Sequence, residues 1–250
     1  MSEQFMQSIM SKLSENEQQQ MKAELRDMFV SRAQKEKQEK VNRYRRLNTM
    51  VQPHQILFVG SSLMEQFPIY ELLLDEQLPY TIYNRGIGGY TTQELRATLD
   101  VCVYELEPDY IYINIGTNDL NAPGYTEDGL IDRYREILVD VKNHLPQAKL
   151  RMLAYYPVNP VVAENNPYMK EALKQRTNER IQSANAAVAE LAGEVGAVYI
   201  DANAGITDSA GMLREEYTIE GMHMYGNGYR PVLHALKPYL EKDYQEILSR

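Results

Sequence analysis

From residue 53 onward, apolar positions come in short runs separated by amphipathic stretches and by turns rich in glycine and asparagine. The run over 56–59, closed by Gly60-Ser61-Ser62, reads as a buried parallel strand that ends in a sharp turn. Comparable runs predict strands over 81–84, 110–115, 150–155 and 197–200. Apolar residues recur at helical spacing over part of 64–78 and over 92–104, 128–144, 170–195 and about 228–248. A loop rich in proline and asparagine separates the fourth strand from the long helix predicted over 170–195. This alternation predicts an α/β fold: a five-stranded parallel sheet covered on both faces, a three-layer α/β/α sandwich with right-handed crossovers. Five strands suit the order 2-1-3-4-5.

Residues 1–52 follow a different pattern, with neither glycine nor proline. Phe5, Met6, Ile9, Met10 and Leu13 lie at helical spacing, and so do Met21, Leu25, Met28 and Phe29. The polar stretch 14–20 between them predicts a break or a capped start. The expectation is an N-terminal extension of two amphipathic helices over 1–52, preceding a domain over 53–250. Between Arg32 and Arg46 stand seven basic residues against two acidic ones. That run reads as a solvated helix face with i,i+4 pairs, or as a surface for membranes or anionic partners. The apolar stripes predict packing on the main domain or a homo-oligomer formed through these helices.

Composition narrows the function. A formal charge of −9 argues against a general nucleic-acid binder. One cysteine, Cys102, excludes an internal disulfide and fits a reducing compartment. No apolar run is long enough for stable membrane insertion, and the N-terminus lacks the pattern of a signal peptide, so the expected location is cytoplasmic. No Cys/His cluster has ligand spacing, so no metal and no cofactor is expected.

Parallel strands place their carboxyl ends along one edge, where open α/β folds bind ligands. Three of those ends carry unusual residues: Ser61-Ser62, Gly86-Ile87-Gly88-Gly89 and Gly116-Thr117-Asn118-Asp119. A fourth group, Glu220-Gly221-Met222-His223, precedes the last helix and can reach the same edge. Acyl transfer needs a nucleophile, a base, an orienter for that base, and donors for the oxyanion. Ser62 is the candidate nucleophile, with an N-cap as the bland alternative. His223 is the candidate base, and a tight turn through Gly221 can bring Glu220 to its far nitrogen. The backbone N–H groups of Ser62 and Gly89 and the Asn118 side chain are candidate oxyanion-hole donors. Taken alone, the glycine block also fits a phosphate cradle, and Asn118 also fits a turn residue. Tyr90, Tyr155 and Tyr156 follow strands at the active edge and are candidates to line a substrate pocket. His54, His144 and His234 read as structural, and Cys102 as a small buried hydrophobe.

These blocks resemble the SGNH hydrolases, also called GDSL-type esterases and lipases. The serine block stands as Gly60-Ser61-Ser62-Leu63, the glycine block as Asn84 to Thr91, the asparagine block as Gly116-Thr117-Asn118-Asp119 and the histidine block as Glu220 to His223. All four appear in the family's order across about residues 54–240. The resemblance includes bacterial members described as platelet-activating-factor-acetylhydrolase-like. It implies a serine ester hydrolase acting on a small-molecule ester, of small-acyl or lysophospholipid type. The implied roles are Ser62 as nucleophile, His223 as base, Glu220 as acid, and Gly89 and Asn118 as oxyanion-hole donors. A carbohydrate O-acetylesterase and a catalytically weak or silent ligand-binding protein on the same fold are the alternatives. Two positions depart from the family pattern: Ser61 and Glu220 stand where aspartates are usual.

Overall fold

The computed structural model describes residues 14–250. The chain divides between Arg43 and Tyr44 into two compact units. Helix α1 (Glu15–Asn48) takes the place of the second of the two helices expected over 1–52. The first of those, over 5–13, lies outside the described residues. The polar stretch at 14–20 is the start of α1. The Ser14 N–H donates to the Glu17 carboxylate at 2.9 Å, and the Glu17 N–H donates back to Ser14 Oγ, an arrangement that satisfies two helix-start donors at once. Along the basic run, Arg32 and Glu36 form an i,i+4 ion pair.

The second unit begins earlier than the expected residue 53 because the end of α1 is bonded into it. Tyr44 Oη donates to the Gly86 carbonyl at 2.6 Å. Asn48 Nδ2 donates to the Val101 carbonyl and to Glu105, while its Oδ1 accepts from Arg85 Nε at 2.9 Å.

The sheet comprises β1 (Ile56–Gly60), β2 (Ile82–Asn84), β3 (Tyr110–Asn114), β4 (Lys149–Leu153) and β5 (Val198–Ile200). It is parallel throughout, in the order β2-β1-β3-β4-β5, as the alternation predicts. All five residues of β1 and of β3 are buried, as expected of central strands covered on both faces.

The helical segments are α2 (Ser62–Glu65), α3 (Ile69–Asp75), α4 (Thr92–Arg96), α5 (Leu99–Cys102), α6 (Glu127–His144), α7 (Pro160–Ala163), α8 (Pro167–Ala172), α9 (Asn178–Glu194) and α10 (Gly226–Leu248). Side chains alternate across each strand. Ile56, Phe58, Tyr110 and Tyr112 share a core with Val232, Leu233, Leu236 and Leu240 of α10. Phe58 and Tyr112 bring their rings to 5.2 Å. Leu57, Val59, Ile111 and Ile113 are equally buried on the alternate positions; α6 packs on α9, and α9 against β4 and β5. Below α10, Arg151 Nε donates to Asp243 at 3.0 Å, and Tyr112 Oη donates to the same carboxylate at 2.7 Å.

Two expected helices are broken. The stretch 92–104 splits into α4 and α5. The expected helix over 170–195 is α8, a turn over 173–177, and α9 restarted by Thr177, whose hydroxyl accepts from the Arg180 N–H. A side-chain cap of this kind is a helix start, and it interrupts an apolar periodicity that runs on through the gap.

Candidate active site

Strand order positions the site. Because β1 lies between β2 and β3, the turn after β1 is flanked by the loops that follow both neighbours. Gly60 lies opposite Asn114 in the β1–β3 register, and Phe58 opposite Asn84 in the β1–β2 register. The serine turn therefore emerges between the glycine block and the asparagine block, at the crevice where the connections diverge to opposite sides of the sheet.

Ser62 is the first residue of α2, a position whose backbone N–H has no partner within its own helix. Ser61 takes the N-cap position, but its buried hydroxyl makes no capping bond and has no hydrogen-bond partner. The glycine block packs hard on α2. A Cβ on Gly86 would lie 2.3 Å from the Glu65 nitrogen, so only glycine allows this approach. Asn84 joins the two segments, donating to the Met64 carbonyl at 2.7 Å and accepting from the Gly86 N–H at 2.9 Å. Glu65 accepts from the Gly88 N–H at 2.6 Å, and the turn that carries Gly89 closes with the Tyr90 N–H on the Ile87 carbonyl.

The histidine block arrives from the other end of the chain. Gly221 has φ +100°, and a Cβ there would meet the Asn159 carbonyl at 2.6 Å. Glycine permits this left-handed turn, and the turn folds Glu220 back on His223. Glu220 Oε1 lies 2.5 Å from His223 Nδ1 and also accepts from the His223 N–H at 3.2 Å. The block is pinned by the Asn159 N–H on the Gly221 carbonyl, at 2.7 Å, and by Thr218 Oγ1 on the His223 carbonyl, at 3.0 Å. His223 Nε2 lies 2.9 Å from Ser62 Oγ. A carboxylate can only accept, so Nδ1 carries the proton and the Nε2 lone pair faces the serine hydroxyl. The structure thus brings Ser62, His223 and Glu220 into one hydrogen-bonded line. The glutamate carboxylate reaches the imidazole across the Gly221 turn.

Asn118 lies on the β3 side. Its Nδ2 donates to the Tyr90 carbonyl at 2.9 Å, and its Oδ1 accepts from Arg176 at 2.8 Å. Asp119 is not part of this chemistry: it accepts from the Thr92 N–H and Thr92 Oγ1, tying down the start of α4. Of the candidate tyrosines, Tyr90 is 3% exposed and Tyr155 fully buried, and Tyr155 borders a cavity together with Pro157, Asn178 and Asn203. Tyr155 Oη donates to the Ile115 carbonyl at 2.7 Å. Tyr90 presents its main-chain carbonyl to Asn118, and burial pushes its phenol up to about 12. Tyr156 is likewise a core residue.

The remaining histidines stand apart from this line. His54 faces Asp109, His144 stacks on Tyr104, and His234 faces Glu76. Cys102 is buried, and that burial pushes its thiol up to about 11. Among the described residues, no group of His, Cys, Asp and Glu is arranged to hold a metal ion, and no helix is long and apolar enough to cross a membrane. Sequence reasoning missed Glu65 and Arg176. The signal for Arg176 was Thr177, a helix-start residue one position later.

Comparison with known proteins gives a consistent result. The family described as GDSL-like Lipase/Acylhydrolase matches residues 58–230, a span that includes all four blocks. The Bos taurus platelet-activating factor acetylhydrolase IB subunit alpha1 is 27% identical over 191 residues, 74% of this chain and 75% of that protein. A solved structure from Streptococcus pneumonia, described as a candidate platelet activating factor, is 34% identical with a TM-score of 0.77, covering 87% of this chain and 99% of that one. An acetylxylan esterase from Geobacillus stearothermophilus shares the fold, with a TM-score of 0.56 at 17% identity over 76% of this chain and 95% of its own.

Proposed function

The chain belongs to the GDSL-like lipase/acylhydrolase family and is a hydrolase of the acylhydrolase or esterase kind; we propose that it cleaves a small-acyl ester through an acyl-enzyme on Ser62. The observation that carries this reading is the line from Ser62 Oγ through His223 to Glu220. A serine hydroxyl is a weak nucleophile until a base takes its proton. His223 Nε2 is within reach of that proton, and the Glu220 carboxylate stabilises the imidazolium that forms. As Ser62 Oγ bonds to the ester carbon, negative charge collects on the carbonyl oxygen. The N–H groups of Ser62 and Gly89 and the Asn118 Nδ2 receive that charge. His223 then returns the proton to the departing alcohol, and water, activated the same way, releases the acid.

Likeness to an acetylhydrolase subunit supports a short acyl group on a small-molecule ester, with a phospholipid-type alcohol as one form of it. The test uses p-nitrophenyl esters of increasing acyl length. Acetate is expected to turn over fastest, with Ser62→Ala at the buffer rate and no fluorophosphonate adduct on that variant. Equal rates for Ser62→Ala and wild type would reject the reading.

A further inference from the structure

Three arginines of the second unit are buried: Arg85, Arg151 and Arg176. Arg151 has the Asp243 carboxylate. Arg85 lies over the rings of Tyr44 and Tyr83, with its Nε on the Asn48 amide oxygen and a terminal nitrogen on the Asn84 carbonyl. Arg176, 3% exposed, has no direct ion pair or ring contact among the described residues, and the Asp119 carboxylate acts on it only at longer range. One terminal nitrogen donates to Asn118 Oδ1 at 2.8 Å, the other touches Met222 Sδ, and Nε has no hydrogen-bond partner. Burying a cation without a counter-ion is costly. The cost falls at one place, between Asn118 and the residue that precedes His223.

We propose that Arg176 is a positioning residue of the hydrolytic site, holding the Asn118 amide with Nδ2 toward the oxyanion. This rests on the hydrolase reading above. The chemistry of the two neighbours fixes the amide. The Tyr90 carbonyl only accepts and the guanidinium only donates, so Asn118 has one orientation, in which Nδ2 keeps a second hydrogen with no partner among the described residues. A donor bound to Oδ1 polarises the amide and strengthens that N–H. The polarised donor is in place before charge develops, which is the arrangement that lowers a barrier without reorganisation. Burial pushes the guanidinium down to about 10, so it stays charged at neutral pH.

The test is a double-mutant cycle on the full chain, with kcat and KM for p-nitrophenyl acetate measured separately. Asn118→Ala is expected to lower kcat about 10²–10³-fold. Arg176→Met should lower kcat about 10–100-fold, the size of one charge-assisted hydrogen bond, with KM little changed. Arg176→Lys should recover part of that loss. In the Asn118→Ala background, Arg176→Met should cost almost nothing further, because the group it acts through is gone. An equal fold-loss in both backgrounds would overturn the proposal, as would an unchanged kcat for Arg176→Met or for Asn118→Ala. If Arg176→Met loses its near-UV circular dichroism, Arg176→Lys is taken through the same cycle and judged by the same outcomes. Ser62→Ala separates the two claims. Full activity there removes the hydrolase reading and this inference together. Loss of activity there and in Asn118→Ala, with Arg176 independent of Asn118, removes this inference alone.

Discussion

Two polar clusters sit in this molecule under opposite rules. In the clamp beneath α10, Arg151 is 7% exposed and meets Asp243, whose carboxylate also accepts from Tyr112. Every charge there has its partner, and the phenol of Tyr112 is driven well above the usual tyrosine range by burial and by Asp243. At the rim, Arg176 is at least as deeply buried and bonds an amide oxygen in place of a carboxylate. The clamp pairs its arginine directly with a carboxylate, whereas the rim bonds its arginine to a neutral amide. A directly paired cluster holds helix to sheet in the ground state, and a donor aimed at developing charge finds its full partner only along a reaction.

That contrast can be broken or sharpened by neutralising one partner at a time. The largest effect belongs to the rim. Glu220→Gln should lower turnover by roughly 10²-fold or more, since an amide neither stabilises the imidazolium nor enforces the tautomer. The melting temperature should barely move; an unchanged kcat would make Glu220 a bystander. In the clamp, Asp243→Asn leaves Arg151 buried and unpaired, which costs about 3–5 kcal/mol. That corresponds to a fall in Tm of roughly 6–20 °C for a chain of this size, with specific activity of the folded protein retained. Arg176→Met orphans no carboxylate, so its Tm should stay close to that of wild type. A fall comparable to that of Asp243→Asn would erase the distinction between the two clusters.

The smallest effect concerns pH. Lys149 and Tyr110 donate to Glu246, and these bonds hold its carboxyl down to about 2. A depressed carboxylate contributes stability above its unfolded value, near 4.3, and loses that contribution as pH falls toward 2. Glu246→Gln should therefore flatten the decline of Tm between about pH 4.5 and 2. An identical acid limb in variant and wild type would show that the pair is screened by solvent.

The sheet was legible because its strands are short apolar runs, the first three closed by glycine, and Gly60 and Gly116 are forced by contacts a Cβ would not survive. Ser62, Gly89 and Asn118 were legible because each follows such a glycine, and Glu220 and His223 because they flank Gly221. The turn at 173–177 was not: Leu173, Ile181, Ala184 and Val188 keep a helical rhythm across it, and the rhythm outweighed the Thr177 cap. Arg176 was hidden by the same error. The burial of the tyrosine rings was hidden for another reason. A one-residue step past a strand end reverses the direction of a side chain, so position in the sequence did not reveal that Tyr155 turns inward to the Ile115 carbonyl.

The last turn of α1 reads as the tail of an extension, yet its Tyr44 and Asn48 grip Gly86 and Arg85. Trimming the protein at Pro53, where proline first breaks the helical pattern, would strip the outer support from the loop that carries Gly89. Any shortened form meant to keep its chemistry has to start upstream of Tyr44.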